Sequence, residues 1–175
     1  MENATDTLQV IAKDIKIQVD FDKQTVNKFR LIGYENKTLA HQDFRNDKIT
    51  AGEIGPNHSA TALYEIELNE GVKEGKIANV SLRFKDVDGS NKTVELSKDI
   101  FVKELKTDFN QASHSFRLAS VVGLYGEILR ESYWLSDNRL QDVTNLANKL
   151  NINEPKISEF RSIVKKASEL KLNIF

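Results

Sequence analysis

IFVKELKTDFNQASHSFRLASVVGLYGEIL, Ile100–Leu129, is where the chain changes period. Up to Lys106 apolar residues alternate with polar ones, the two-residue repeat of strands with one covered face. Beyond it Phe116, Leu118, Ala119, Val121, Val122, Tyr125, Ile128 and Leu129 recur at three- and four-residue spacing, the repeat of an amphipathic helix. Asp108 and Ser113 are both suited to cap its start. The spacing predicts a helix over 110–132, and the fold class turns on that switch.

Working back from it, IKIQVDF at Ile15–Phe21 sets Ile15, Ile17, Val19 and Phe21 on one face and Lys16, Gln18 and Asp20 on the other. A second strand, VNKFRLIGYE, is expected to form a hairpin with this one. SATALYEIEL alternates again with Tyr64, Ile66 and Leu68 inward, Glu65 and Glu67 facing solvent. ANVSLRFKDVDGSNKTVELSKDIFV then reads as two strands joined by a turn at Asp88-Gly89, with Val80, Leu82, Phe84, Val94 and Leu96 inward.

Working forward, 138–150 and 155–170 give two more helices. The last opens on Pro155 and carries Ile157, Phe160, Ile163, Val164 and Ala167 on its inner side. The expected fold is α+β: an antiparallel, sandwich-like sheet region over 8–106, followed by a bundle of about three helices over 107–175 packed on it as one compact unit.

Composition narrows the function. The 25 basic and 26 acidic side chains nearly cancel, so no strong field draws the chain to polyanions or anionic lipid, and neither nucleic acid nor membrane is an expected partner. No cysteine is present, which removes disulfides, thiol catalysis and cysteine-based zinc sites. The amino-terminal MENATDTLQVIAKD lacks the basic start and apolar run of a secretion signal, and no stretch reaches the ~20 apolar residues of a membrane helix.

Motif chemistry is sparse. In DVDGSN, Asp86–Asn91, the oxygen ligands suit a hard cation, but counting from Asp86 puts glycine fourth and Ser97 twelfth, where a calcium loop of the EF-hand type needs glycine sixth and glutamate twelfth. A polar turn is the better reading. His41, His58 and His114 are the only neutral bases, with no GxSxG elbow to accompany them. Gly52 and Gly55 lack the spacing of a phosphate-binding loop. No catalytic residue, cofactor or metal is therefore expected. The long segment 36–59, NKTLAHQDFRNDKITAGEIGPNHS, is where recognition groups belong, and Tyr34, Glu35, Asp47, Glu53 and His58 are the interaction candidates.

Four stretches in order, AKDIKIQVDF, RLIGYENKTL, DFRNDKITAGEIGPNHSATALYEI and FRLASVVGLYGEILRES, resemble the C-terminal domain of bacterial YfbK-like von Willebrand factor type A proteins, over about 11–170. The resemblance implies an excised part of an envelope-associated protein, of lipoprotein type, with the A domain immediately before Glu2 and acting as the partner of this region, alone or with another envelope protein. The A domain's metal site is built on DxSxS, which this chain lacks; no metal and no catalytic residue carry over. A non-enzymatic accessory domain is the expected function. The alternative is a ligand-binding or hydrolase-like domain, with a site between sheet and long helix and His58 or His114 as base.

Overall fold

The computed structural model describes residues 10–33, 38–87, 92–132, 139–150 and 154–172. Six strands come first, β1 (Ala12–Phe21), β2 (Val26–Ile32), β3 (Gly52–Ile54), β4 (Leu63–Leu68), β5 (Lys76–Asp86) and β6 (Thr93–Phe101), then three helices, α1 (His114–Leu129), α2 (Arg139–Asn148) and α3 (Pro155–Leu172). This is the expected α+β class. The Asp88-Gly89 turn lies outside the described residues.

Four strands form one sheet in the order β3-β1-β5-β6, and β2 pairs with β4 in a second. The expected hairpin of the first two strands is thus corrected. After Phe21 a turn closes on Asp22, whose carbonyl accepts from Thr25 and Val26 N–H, and the chain leaves for the other sheet. Apolar side chains of both sheets meet there: Val26, Ile77 and Ala78 are buried, with Val19, Phe21, Ile66, Leu68 and Val102 packed on them. Two layers sharing an apolar interior are the sandwich-like arrangement that alternation implies.

Register explains the large sheet's two faces. Ile17, Leu82 and Leu96 form one cross-strand row, and Lys16, Arg83 and Glu95 form a row on the opposite face. The sequence reading puts Ile17 inward and Lys16 outward; the structure reverses both, with Ile17 49% exposed and Lys16 3%. Leu96, also expected inward, is 56% exposed. The cause is the covering chain. The second sheet caps only the end of the apolar face that carries Val19 and Phe21, whereas the polar face is strapped by residues 38–51, whose Phe44 is buried.

Gly75 shows how tightly the turn after β1 is held. Its φ is +114°, and a Cβ there would stand 2.9 Å from Thr25 Cγ2, while Thr25 Oγ1 donates to the Lys76 carbonyl at 2.5 Å. Gly75→Ala combines a strained backbone with that clash and is expected to cost about 2 kcal/mol. Urea unfolding checks it: an unchanged midpoint would show that the turn relaxes freely.

The described residues divide into two compact units, one of 10–30, 38–61, 65–87 and 92–105, the other of 31–33, 62–64, 106–132, 139–150 and 154–172. In the second, Ser113 Oγ accepts from Phe116 N–H at 3.2 Å and caps α1, while Asp108 caps a short 3-10 turn over Phe109–Gln111. Val121 and Tyr125 of α1, Leu140, Val143 and Ala147 of α2, Leu150 just beyond α2, and Val164 of α3 make the helical core. Tyr125 and Phe160 meet edge to face at 5.7 Å. Ile163, expected on the inner side of α3, is 48% exposed, because it sits about 100° around the helix from Val164. Within the same unit Gly123 faces Leu63 and Ile32: a Cβ there would lie 3.0 Å from Leu63 Cδ1 and 3.5 Å from Ile32 Cγ2.

Candidate functional site

The strap is built on the polar row of the sheet. Three consecutive residues engage the three residues of that row: Arg45 meets Glu95 at 2.6 Å, the Asn46 carbonyl accepts from Lys16 Nζ at 2.8 Å, and Asp47 meets Arg83 at 2.8 Å. The Arg83 hydrogen bond holds the Asp47 carboxyl below its ordinary value, and Arg45 does the same for Glu95. Asp47, picked from the sequence as an interaction candidate, is therefore occupied inside its own fold.

Glu53 lies on β3 at the edge of the sheet and is exposed. His58 follows a turn in which Asn57 has φ +59° and His58 N–H donates to the Gly55 carbonyl at 3.3 Å, with Pro56 at the second position as such turns prefer. The His58 ring is 3.0 Å from the Pro56 carbonyl. No hydrogen bond or ion pair joins Asp47, Glu53 and His58, and Tyr34 and Glu35 lie outside the described residues. His114 is the first residue of α1. Among the described residues neither His58 nor His114 is hydrogen-bonded to a Ser, Asp or Glu, and no three His, Asp or Glu side chains gather as metal ligands.

What the sequence reading passed over is His41. Its Nε2 lies 2.8 Å from Asp20 Oδ1 and 3.0 Å from Gln18 Nε2, and Gln18 Nε2 donates to Asp20 Oδ2 at 2.7 Å. A ring nitrogen donating to Asp20 cannot also accept from Gln18, so the amide serves the carboxylate alone. Gln18 Oε1 is buried without a hydrogen-bond partner among the described residues.

His41 and Asp20 stand at the rim of an open groove of about 510 Å³. Its wall is Val19, Phe21, Val26 and Phe29, and its polar rim adds Lys23, Asn27 and Asn69. Phe29 is 57% exposed while stacked on Phe21 at 4.3 Å between ring centres. Asn69 Nδ2 donates to the Lys23 and Gln24 carbonyls at 3.1 and 2.9 Å, pinning the turn that carries Lys23. The Lys23 ammonium has no partner among the described residues. The groove thus offers an aromatic wall, one unpaired cation and amide oxygens.

No helix among the described residues is long and apolar enough to cross a membrane. No solved structure matches the chain. A curated relative, "Uncharacterized protein YfbK" of Escherichia coli (strain K12), is 31% identical over 165 residues, which is 85% of this chain and 28% of the relative. The chain therefore spans under a third of that protein's length. The family model described as "Uncharacterized protein YfbK, C-terminal" matches residues 6–170, and over that whole range, strap, groove and helical core included, the chain belongs to the YfbK C-terminal family.

Proposed function

We propose that this chain is a non-enzymatic accessory domain of a larger bacterial envelope protein, of lipoprotein type, and that its groove docks an apolar side chain of that protein's von Willebrand factor A domain. The observation that carries the reading is Phe29, a large aromatic more than half exposed while stacked on Phe21. Aromatic side chains, Phe among them, are enriched where protein surfaces meet. The unpaired Lys23 ammonium adds a preference for an acidic neighbour on the docking segment. Asp47 is not part of this surface, since Arg83 holds it.

Titration calorimetry of the chain against the A domain, with and without magnesium, tests the proposal. Micromolar binding is expected, weakened roughly thirty-fold by Phe29→Ala, as for a residue at the centre of an interface. Loss of binding without magnesium would tie the docked face to the A domain's metal site. Absence of heat at several temperatures would refute the docking, and binding unaffected by Phe29→Ala would move it away from the groove.

A further inference from the structure

Among the described residues the order β3-β1-β5-β6 leaves β6 at an edge of the four-stranded sheet, and five consecutive residues, Glu95–Asp99, are exposed. Edge strands are normally guarded by charge. Here each charge of β6 is turned to its own chain: Glu95 to Arg45 at 2.6 Å and Arg83 at 3.5 Å, Lys98 to Glu104 at 3.9 Å, and Asp99 to Asn79 at 2.8 Å and Lys76 at 3.8 Å. The guard is internally neutralised. Beside it runs the row Ile17, Leu82, Leu96, apolar and half uncovered at both ends.

We propose that β6 pairs antiparallel with β6 of a second copy about a two-fold axis through Leu96, joining two four-stranded sheets into one of eight. An axis perpendicular to the sheet keeps the apolar faces together only when it passes through a residue, so the exposed stretch Glu95–Asp99 allows five registers, of which those centred on Glu95 or Asp99 oppose two identical carboxylates. Centred on Ser97, Glu95 faces Asp99 of the other copy. Centred on Lys98, lysine faces lysine. Centred on Leu96, leucine meets leucine, Glu95 meets Ser97, Val94 meets Lys98 and Thr93 meets Asp99, with no like charges opposed. That register also doubles the apolar row into Ile17-Leu82-Leu96-Leu96-Leu82-Ile17. Directly opposed side chains on one face are what stabilise such a pair.

The absence of native cysteine makes the register directly readable in the whole chain. Leu96→Cys, Val94→Cys and Lys98→Cys each introduce a single thiol at an exposed or edge position, and mild oxidation is followed on a non-reducing gel. Leu96→Cys is expected to form a covalent dimer roughly ten-fold faster than the other two, because only it brings the two Cβ atoms near the ~4 Å that a disulfide needs. Sedimentation of the unmodified chain is expected to show a concentration-dependent dimer that Leu96→Lys abolishes without lowering the melting temperature. Fastest coupling of Lys98→Cys would overturn the register. Equal, slow coupling of all three, or a chain that stays monomeric at the highest concentration, would overturn the pairing itself.

Discussion

Lys16→Ala is expected to destabilise the sheet-bearing unit by about 3–5 kcal/mol, the range for removing one partner from a buried charged contact. Lys16 is 3% exposed, its Nζ donates to the Asn46 carbonyl at 2.8 Å, and it lies 3.7 Å from Asp14 Oδ1. Truncation leaves the Asn46 carbonyl with only the Ile49 N–H, which donates to it at 3.2 Å, a void under the strap and one cation fewer beside Asp14. Lys16→Met keeps the volume and should lose less, about 1–3 kcal/mol for the lost hydrogen bond from a charged donor. Urea unfolding measures both, and a Lys16→Ala midpoint equal to the parent's would mean that the strap is held by Arg45, Asp47 and Phe44 alone.

The same cluster gives the protein an acid limb. Burial pushes the Asp14 carboxyl up, but the Ala51 N–H, Lys85 and Lys16 outweigh it and hold the group below its ordinary value of 3.8. A folded-state value below the unfolded one contributes stability that is present above the unfolded value and is lost as pH falls through the folded one. Melting temperature should therefore drop as pH falls below about 4, and Asp14→Asn should flatten part of that drop. Asp14 also has φ +54°, a conformation that asparagine tolerates, so the substitution tests the charge with little change to the register irregularity of β1 between Lys13 and Lys16.

The reversal at Lys16 and Ile17 shows what alternation can and cannot tell. A two-residue period says that two faces differ. It does not say which face acquires a cover, and here a strap reading Arg45-Asn46-Asp47 matches a polar row better than anything covers Ile17. The hairpin expected between β1 and β2 failed for a related reason, since periodicity carries no pairing information. The helix boundaries were more legible because caps and Pro155 are local signals. The α+β class followed from the change of period alone. Of the candidate site, Asp47 was visible as a special residue but its partner Arg83 lies 36 positions away. The groove was not visible, because Phe29, Asp20 and His41 meet only once β1, β2 and the strap are in place.

Leu150→Ala is expected to cost the helical unit about 2–5 kcal/mol, the range for large-to-small changes in a closed core. Leu150 is 1% exposed and belongs to the cluster of Val121, Tyr125, Leu140, Val143, Ala147 and Val164. It lies beyond the end of α2, where little local propensity fixes it; Leu150 N–H donates to the Ala147 carbonyl at 3.2 Å, and Arg161 Nε reaches the same carbonyl at 3.1 Å. The neighbourhood is thus pinned by the backbone and cannot collapse easily onto the lost side chain, which places the cost above the middle of the range. Ile163→Ala is the internal control. Its side chain is 48% exposed, so its removal should cost under about 1 kcal/mol, although the sequence pattern alone counts it among the inward residues of α3. Helical circular dichroism followed through urea separates the two variants, and equal losses would mean that Ile163 is covered and that the inner stripe of α3 is wider than Ile157, Phe160, Val164 and Ala167.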